Sequence, residues 1–177
     1  MKIVVVGPGA MGCLIAAFLS KSKEEIWLLD KNKERAAKIN GSGITLESSS
    51  GSWKAQVKTT ANPGEIGRAE LIIICVKSFN TKQAVEGIKP LLGENTKILT
   101  LQNGMGNIEI ISEIATEDRI IAGVTNEGST LIDTGKIRHA GHGETIIGTI
   151  NGKTPVEMRA IREIFNKIGF ETKISRD

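Results

Sequence analysis

The hexapeptide GPGAMG occupies residues 7–12, between the apolar run IVVV at residues 3–6 and the helix-like segment CLIAAFLS at residues 13–20. Its three glycines follow the spacing GxGxxG. The first allows a sharp turn out of a strand, the second leaves no side chain between the backbone and a pyrophosphate, and the third lets the helix pack closely on the sheet. The N-terminus of such a helix directs unpaired N–H groups at phosphates. The stretch therefore predicts a dinucleotide-binding turn formed by Gly7, Pro8, Gly9, Ala10, Met11 and Gly12.

An acidic residue follows at the distance expected for a ribose contact. Asp30 ends the second predicted strand, 23 residues after Gly7. A carboxylate there would accept hydrogen bonds from the ribose 2′-OH and favour NAD. Lys31, with Lys33 and Arg35 nearby, would instead neutralise a 2′-phosphate and favour NADP. These three bases could equally form a solvated helix face, so the sequence leaves NADP and NAD both open.

Strand-like and helix-like segments alternate along most of the chain, a pattern typical of βαβ units and a mostly parallel sheet. The run LIIICV lacks polar alternation, which indicates a central strand covered on both faces. Strands are predicted at 2–6, 26–30, 71–76, 97–101, 120–125 and 170–174, and helices at 10–19, 32–40, 80–90, 107–115 and 154–169. The predicted fold class is α/β, a Rossmann-like, doubly wound, mostly parallel sheet with helices on both faces, in one dinucleotide-binding domain over residues 1–177.

Two segments depart from this alternation. Residues 45–58 are predicted to form a hairpin that turns at Ser50 and Gly51, and two short runs within residues 135–150 are predicted to be antiparallel strands. Two helix starts are predicted from capping patterns, one at Asn80 and one at Thr154, where Pro155 would occupy the first helical position.

Composition narrows the class of protein further. The net charge is +3, but lysines and arginines are scattered among acids, which argues against nucleic acid or an anionic membrane as a partner. No apolar stretch approaches the ~18 residues of a membrane span, and no signal peptide is evident, so a cytoplasmic location is predicted. Cys13 and Cys75 each lie in an apolar segment and are interpreted as small buried hydrophobes.

Three polar segments follow predicted strands: VKSFNT at 76–81, LQNGMGNIE at 101–109 and GVTNEGST at 123–130. In an open α/β sheet, ligands bind outside the carboxyl ends of the strands, so these loops should face the same crevice as GPGAMG. Together with HAGHGETIIG at 139–148, they make the whole chain resemble the N-terminal domain of ketopantoate reductases (2-dehydropantoate 2-reductases), which make pantoate for coenzyme A biosynthesis.

The resemblance implies NADPH-dependent reduction of a small 2-oxo acid and assigns several roles. Lys77 would lie beside the cofactor, and Asn103 would contact both nicotinamide and substrate. Lys31 falls where the family usually has the arginine for the 2′-phosphate, and Ser129 falls in a loop that touches the cofactor. Taken without the resemblance, Lys77 could be a solvated lysine and Asn103 a turn residue before Gly104.

The chain departs from that family in length. Family members are about twice as long, and their helical second domain carries a general-acid lysine and a glutamate that orients the substrate. The lysine should follow the strand that ends at Ile174, but the sequence stops at Asp177. We therefore expect the helical C-terminal domain to be absent, and the chain to be an excised or stand-alone domain that binds cofactor but turns over poorly. Its exposed interdomain face could favour self-association.

Two alternative functions stay open at this point. The chain could belong to another two-domain dehydrogenase that acts on a 2-oxo acid, an opine or a polyol phosphate, or it could be a non-catalytic NAD(P)-sensing module. The pair His139 and His142 raises the separate question of a metal site. Because the sequence shows no carboxylate or cysteine cluster around HAGH, we interpret both histidines as structural and predict no metal.

Overall fold

The computed structural model describes residues 1–175, so the last two residues of the predicted domain, Arg176 and Asp177, lie outside the described residues. The strands are β1 (Lys2–Val6), β2 (Glu25–Leu29), β3 (Ile44–Ser48), β4 (Gly51–Ala55), β5 (Lys58–Thr60), β6 (Ala69–Ile74), β7 (Leu92–Thr100), β8 (Ile120–Thr125), β9 (Gly128–Asp133), β10 (Lys136–Gly141), β11 (Thr145–Thr149) and β12 (Thr172–Ile174). The helices are α1 (Ala10–Leu19), α2 (Lys33–Ser42), α3 (Thr81–Ile88), α4 (Asn107–Ser112) and α5 (Val156–Lys167).

The main sheet contains eight strands within residues 1–175, in the order β12-β11-β8-β7-β6-β1-β2-β5. All neighbouring strands are parallel except β8 and β11, which are antiparallel. The stretch β5-β2-β1-β6-β7-β8 has the 3-2-1-4-5-6 order of dinucleotide-binding sheets. The predicted Rossmann-like fold class is confirmed, and β1, α1 and β8 begin and end at the predicted residues.

Apolar side chains of the central strands alternate between two cores. On β6, Leu71 and Ile73 pack with α1 and α5, whereas Ile72 and Ile74 pack with α3 and α4 on the opposite face. All four are at most 1% exposed. This double burial explains why the segment lacks polar alternation and confirms its prediction as a central strand, although the strand spans Ala69–Ile74 rather than 71–76.

A second sheet of four strands, in the order β4-β3-β10-β9 among the described residues, packs on the α1 side. The hairpin predicted within residues 45–58 is confirmed as β3 and β4. The two short runs predicted within residues 135–150 are confirmed as antiparallel strands: β10 is antiparallel to β9, and β11 is antiparallel to β8. On its other edge, β10 pairs in parallel with β3. Strand β9 was not predicted, since its mostly exposed residues show no apolar alternation.

Of the two helix starts predicted from capping patterns, the one at Asn80 is confirmed in position and the one at Thr154 is wrong. Helix α3 does begin after Asn80, but that side chain makes no capping hydrogen bond and instead faces Lys31. Helix α5 begins at Val156 with Pro155 as its N-cap residue, so Thr154 lies outside the helix. Both residue types fit an N-cap. The Asn80 side chain accepts a hydrogen bond from Lys31 instead of from the helix backbone, and the N-cap position of α5 lies one residue after Thr154.

Two predictions from composition can be compared with the structure. Both cysteines are unpaired thiols, and Cys13 is fully buried while Cys75 is half-buried. Burial raises the pKa of each thiol to about 12, so both stay protonated at neutral pH. Among the described residues, no helix is both long enough and apolar enough to cross a membrane.

Candidate functional site

A cleft of about 510 Å³ opens at the carboxyl ends of β1 and β6, where the strand order of the main sheet reverses. Its volume is within the range of small-molecule sites. Six predicted site residues line it: Gly7, Pro8, Gly9, Asp30, Lys31 and Lys77. Arg35, Asn80 and Gln83 line it as well, and Leu131 and Thr134 reach it from the second sheet and the turn that follows β9.

The three glycines of GPGAMG have different surroundings. Gly7 has a φ of +98°, and a Cβ there would lie 2.7 Å from the Val76 Cγ1 atom. A Cβ on Gly12 would lie 1.8 Å from the Gly7 carbonyl oxygen, so a side chain cannot fit between helix and turn. Apart from its chain neighbours, no atom of the described residues lies within 4 Å of the Gly9 Cβ position. The fold therefore requires Gly7 and Gly12, whereas the side of Gly9 faces open space.

Helix α1 begins directly after Gly9 and has no side-chain cap and no acidic residue in its first turn. The first N–H groups of a helix lack intrahelical partners and carry the positive end of its dipole. Ala10 and Met11 are half-buried in this first turn, and the Ser129 hydroxyl donates a hydrogen bond of 3.1 Å to the Ala10 carbonyl. The helix terminus is thus equipped to receive an anionic group.

Asp30 and Arg35 form a two-point ion pair at the edge of the cleft. The Arg35 Nε and Nη2 atoms donate to the two carboxylate oxygens at 2.6 and 2.5 Å, and the Asn32 N–H adds a third hydrogen bond of 3.2 Å. The Asp30 side chain is 1% exposed, whereas that of Arg35 is 40% exposed. The hydrogen bond to Asp30 raises the pKa of Arg35. Sequence reasoning noted both residues but did not pair them with each other.

The remaining predicted residues lie on two sides of the crevice. The Lys31 ammonium donates to the Gln83 and Asn80 side-chain oxygens at 3.1 and 3.5 Å, so it bridges the end of β2 and the start of α3. Lys77 is exposed after β6. With Asp30 neutralised by Arg35, these two lysines leave the cleft with a surplus of positive charge.

Asn103 and Ser129 do not line the cleft itself. Asn103 is exposed on the loop after β7, and Ser129 is half-buried on β9. Both lie at or beside the carboxyl-end edge of the sheet, which is where the sequence places them.

The model for the family described as ketopantoate reductase PanE/ApbA matches residues 3–152 of the chain.

The chain belongs to the ketopantoate reductase family. A 2-dehydropantoate 2-reductase of Halobacterium salinarum is 30% identical over 176 residues, which are 99% of this chain and 58% of that protein. The crystal structure of 2-dehydropantoate 2-reductase from Geobacter metallireducens superposes with a TM-score of 0.92 at 31% identity, covering 100% of this chain and 58% of that one. The chain thus spans somewhat more than half the length of these relatives.

A more distant likeness concerns the fold alone. The ternary structure of D-mandelate dehydrogenase with NADH and anilino(oxo)acetate has a TM-score of 0.86 at 23% identity, covering 99% of this chain and 57% of that one. The ketopantoate reductase family and this neighbour therefore share the architecture described above.

A buried polar network holds the Asn103 loop of this ketopantoate reductase family member. The Gln102 amide donates to the Val76 carbonyl at 2.7 Å and to the Thr81 hydroxyl at 2.8 Å. Thr81 donates to the Asn107 side-chain oxygen at 2.8 Å, and the Asn107 amide donates to the Gly104 carbonyl at 3.1 Å. Sequence reasoning missed this network because its members lie on three different segments.

We expect Thr81→Val to lower the free energy of unfolding by about 1–3 kcal/mol, because buried Asn107 and half-buried Gln102 each lose a hydrogen bond while side-chain volume is kept. Thr81 is fully buried, so water cannot replace the hydroxyl without rearrangement. Urea unfolding measures the loss. Ser112→Ala is the control, since it removes a hydroxyl bonded to the Ile108 carbonyl at an exposed position. Equal losses in the two variants would contradict a stabilising role for the network.

The histidine pair has a carboxylate neighbour that the sequence did not reveal. The His139 Nε2 atom lies 2.6 Å from the Glu127 Oε2 atom, and His142 Nδ1 lies 3.9 Å from the same oxygen. The expectation that no carboxylate accompanies HAGH is therefore wrong. Glu127 lies on the connection between β8 and β9, and strand pairing rather than sequence spacing brings it to His139.

Proposed function

We propose that this chain is the cofactor-binding part of a ketopantoate reductase, which reduces 2-dehydropantoate to pantoate with a nicotinamide dinucleotide. The observation that carries the proposal is the cleft at the carboxyl ends of β1 and β6 in a member of this family. That position is where dinucleotides bind in open α/β sheets. Substrate binding and general-acid chemistry would also need residues of the rest of a full-length family member. This chain spans somewhat more than half the length of such a relative.

The cleft residues fit a dinucleotide in chemistry as well as in position. The pyrophosphate would lie against Gly9 and the unpaired N–H groups of Ala10, Met11 and Gly12, because no side chain blocks Gly9 and the helix terminus attracts anions. Ser129 supports this turn through its hydrogen bond to the Ala10 carbonyl. The NADH found with D-mandelate dehydrogenase, a protein of the same fold, supports a nicotinamide cofactor here.

We propose NADP as the preferred cofactor, with NAD as the weaker ligand. Both oxygens of Asp30 already accept hydrogen bonds from Arg35, which leaves the carboxylate poorly placed to bind a 2′-OH as well. Lys31 and the exposed part of Arg35 offer positive charge at the same edge of the cleft. The 2′-phosphate of NADP would compensate that positive charge, whereas the neutral 2′-hydroxyl of NAD would not.

The bound cofactor would supply a hydride to the carbonyl carbon of a 2-oxo acid. Asn103 would donate a hydrogen bond from its amide to the carbonyl oxygen, where negative charge develops, and the buried network fixes its loop. Lys77 would bind a ribose or phosphate oxygen. The proton for the alkoxide would come from a residue outside the 177 residues, so we expect this chain alone to bind cofactor without turnover.

The direct test is a titration of the purified chain with NADPH and with NADH, followed by nicotinamide fluorescence. We expect NADPH to bind more tightly, and Lys31→Ala to weaken NADPH about 10-fold while changing NADH little, because one charge-assisted contact is lost. Lys33→Ala is the matched control, since the exposed Lys33 does not line the cleft. Failure to bind either cofactor would overturn the proposal, and an equal effect of both lysine variants would remove Lys31 from it.

The identity of the 2-oxo acid is open to substrate profiling of the full-length enzyme. The alternative substrates are another 2-oxo acid, an opine precursor and a polyol phosphate. A preference for one of them would change the proposed substrate and leave the fold and the proposed cofactor site as they are. Cofactor binding without any turnover by the full-length protein would favour an NAD(P)-sensing module. Self-association, a cytoplasmic location and the absence of nucleic-acid or membrane partners stay predictions.

A further inference from the structure

Glu127, His139 and His142 bring three potential metal ligands together outside the cofactor cleft. One potential ligand atom from each of the three residues lies within 4.8 Å of the other two. The side chains of Glu127 and His139 are 2% and 3% exposed, whereas that of His142 is 74% exposed. The cluster is therefore closed on the protein side and open to solvent on one side.

The fold places these side chains with an irregularity in β10. His139 pairs with Ser129, two residues after Glu127, and the register shifts between His139 and Gly141. A bulge of this kind redirects the residues beside it. The turn after Gly141 then brings His142 against His139, with ring centroids 4.3 Å apart. Phe18 packs edge-on against the His139 ring at 5.5 Å and fixes its orientation.

The charge of Glu127 is the physical reason to look for a bound cation. A carboxylate at 2% exposure is costly unless a positive partner compensates it. Within residues 1–175, no lysine or arginine forms an ion pair with Glu127, and its ion-pair partners are the two histidines. A divalent cation held between this carboxylate and the two imidazoles would supply the missing positive charge.

We propose that Glu127, His139 and His142 bind one divalent transition-metal ion of the Zn²⁺ type. Two imidazoles and a carboxylate form a ligand set that Zn²⁺ accepts, with water in the fourth position. Bonds of about 2.0–2.1 Å in a tetrahedron separate ligand atoms by about 3.3 Å. The observed separations from the Glu127 oxygen are 2.6 and 3.9 Å, so one must widen and one must close by less than an ångström. The exposed His142 is free to close the longer separation, whereas the shorter one widens by a small shift of the buried Glu127 or His139 side chain.

The bound ion would fasten the connection between β8 and β9 to the end of β10. Ser129, which donates to the Ala10 carbonyl at the start of α1, follows that connection directly. The ion would therefore stabilise the second sheet where it meets the dinucleotide-binding turn. This role does not depend on the proposed reductase activity, and cofactor binding and metal binding can fail independently.

The test is calorimetric titration of the untagged, chelator-treated chain with Zn²⁺. An untagged chain matters because its only two histidines are both in the cluster. We expect one Zn²⁺ per chain and a higher melting temperature with Zn²⁺. His142→Ala should weaken binding by at least about 10–100-fold, the effect known for mutations around metal ligands.

Glu144→Gln is the matched control, because this nearby carboxylate pairs with Lys173 and is not part of the cluster. It should bind Zn²⁺ as the unmodified chain does. His142 is exposed, so its alanine variant should keep the fold, which a melting curve without metal verifies. Visible absorption of bound Co²⁺ gives a second measure of the ligand set. No one-to-one binding, or equal binding by His142→Ala, would overturn the proposal.

Discussion

Gly12→Ala is expected to lower the free energy of unfolding by at least about 3 kcal/mol, or to prevent folding, because the new methyl would overlap a backbone carbonyl. Its Cβ would lie 1.8 Å from the Gly7 oxygen and 3.4 Å from the Cys75 Cβ atom. A backbone oxygen cannot swing aside as the end of a side chain can, so α1 would have to move off the sheet. For a chain of this size the melting temperature should fall by roughly 6–12 °C, which thermal unfolding followed by circular dichroism measures.

Gly9→Ala is the matched variant without a steric conflict. Apart from its chain neighbours, no described residue has an atom within 4 Å of the Gly9 Cβ position, and a φ of −75° suits alanine. We expect its stability to match that of the unmodified chain. Under the proposed function, its cofactor affinity should nevertheless fall, because the methyl would occupy the space of the pyrophosphate. A stable Gly12→Ala, or a Gly9→Ala as unstable as Gly12→Ala, would contradict this reading of the turn.

Arg35→Met is expected to cost more stability than Asp30→Asn, although each removes one half of the same ion pair. The methionine stem still covers Asp30, so the change leaves a carboxylate that is 1% exposed without its cation, at a cost of about 3 kcal/mol. Asp30→Asn leaves the guanidinium uncompensated instead, but at 40% exposure water can solvate it, and the loss should be nearer about 1 kcal/mol. Urea unfolding of both variants compares the two.

The same pair of variants should change cofactor choice in opposite directions. Arg35→Met removes a positive charge at the edge of the cleft and leaves the Asp30 charge uncompensated, which disfavours a 2′-phosphate and favours NADH, whereas Asp30→Asn removes the negative charge next to a 2′-phosphate and favours NADPH. The ratio of the two dissociation constants, measured by nicotinamide fluorescence, reports the change without any need for turnover. Equal stability losses would contradict the asymmetric burial of the pair, and shifts in the same direction would contradict its role in cofactor choice.

Local pattern was sufficient for the dinucleotide-binding half of the main sheet. The GPGAMG turn requires glycine at Gly7 and Gly12, and the apolar run at 71–76 indicated a strand buried on both faces, which the structure has at Ala69–Ile74. Apolar periodicity likewise placed β1, α1 and β8 without error. These elements are the ones in which side-chain size, backbone preference and burial all favour the same structure.

Pairing between distant segments was the part that the sequence could not supply. Asp30 and Arg35 were each assigned a cofactor contact, but their five-residue spacing crosses a strand end and the start of α2, where helix periodicity does not apply. Glu127 reaches His139 only through the pairing of β9 with β10, and β9 itself is mostly exposed. The Thr81 network likewise joins distant segments, namely the end of β6, the start of α3 and the loop between β7 and α4. Such contacts depend on tertiary structure that residue spacing does not encode.

The parallel pairing of β3 with β10 has a consequence for biosynthesis. Thr45 pairs with Lys136, which is 91 positions later in the chain. At the usual rates of translation that interval is about 5–18 s. During this time the β3–β4 hairpin can form locally, but one edge of β3 stays unpaired and can bind another chain. The nascent chain therefore presents this edge of β3 until residue 136 leaves the ribosome, well after the dinucleotide-binding turn has been made.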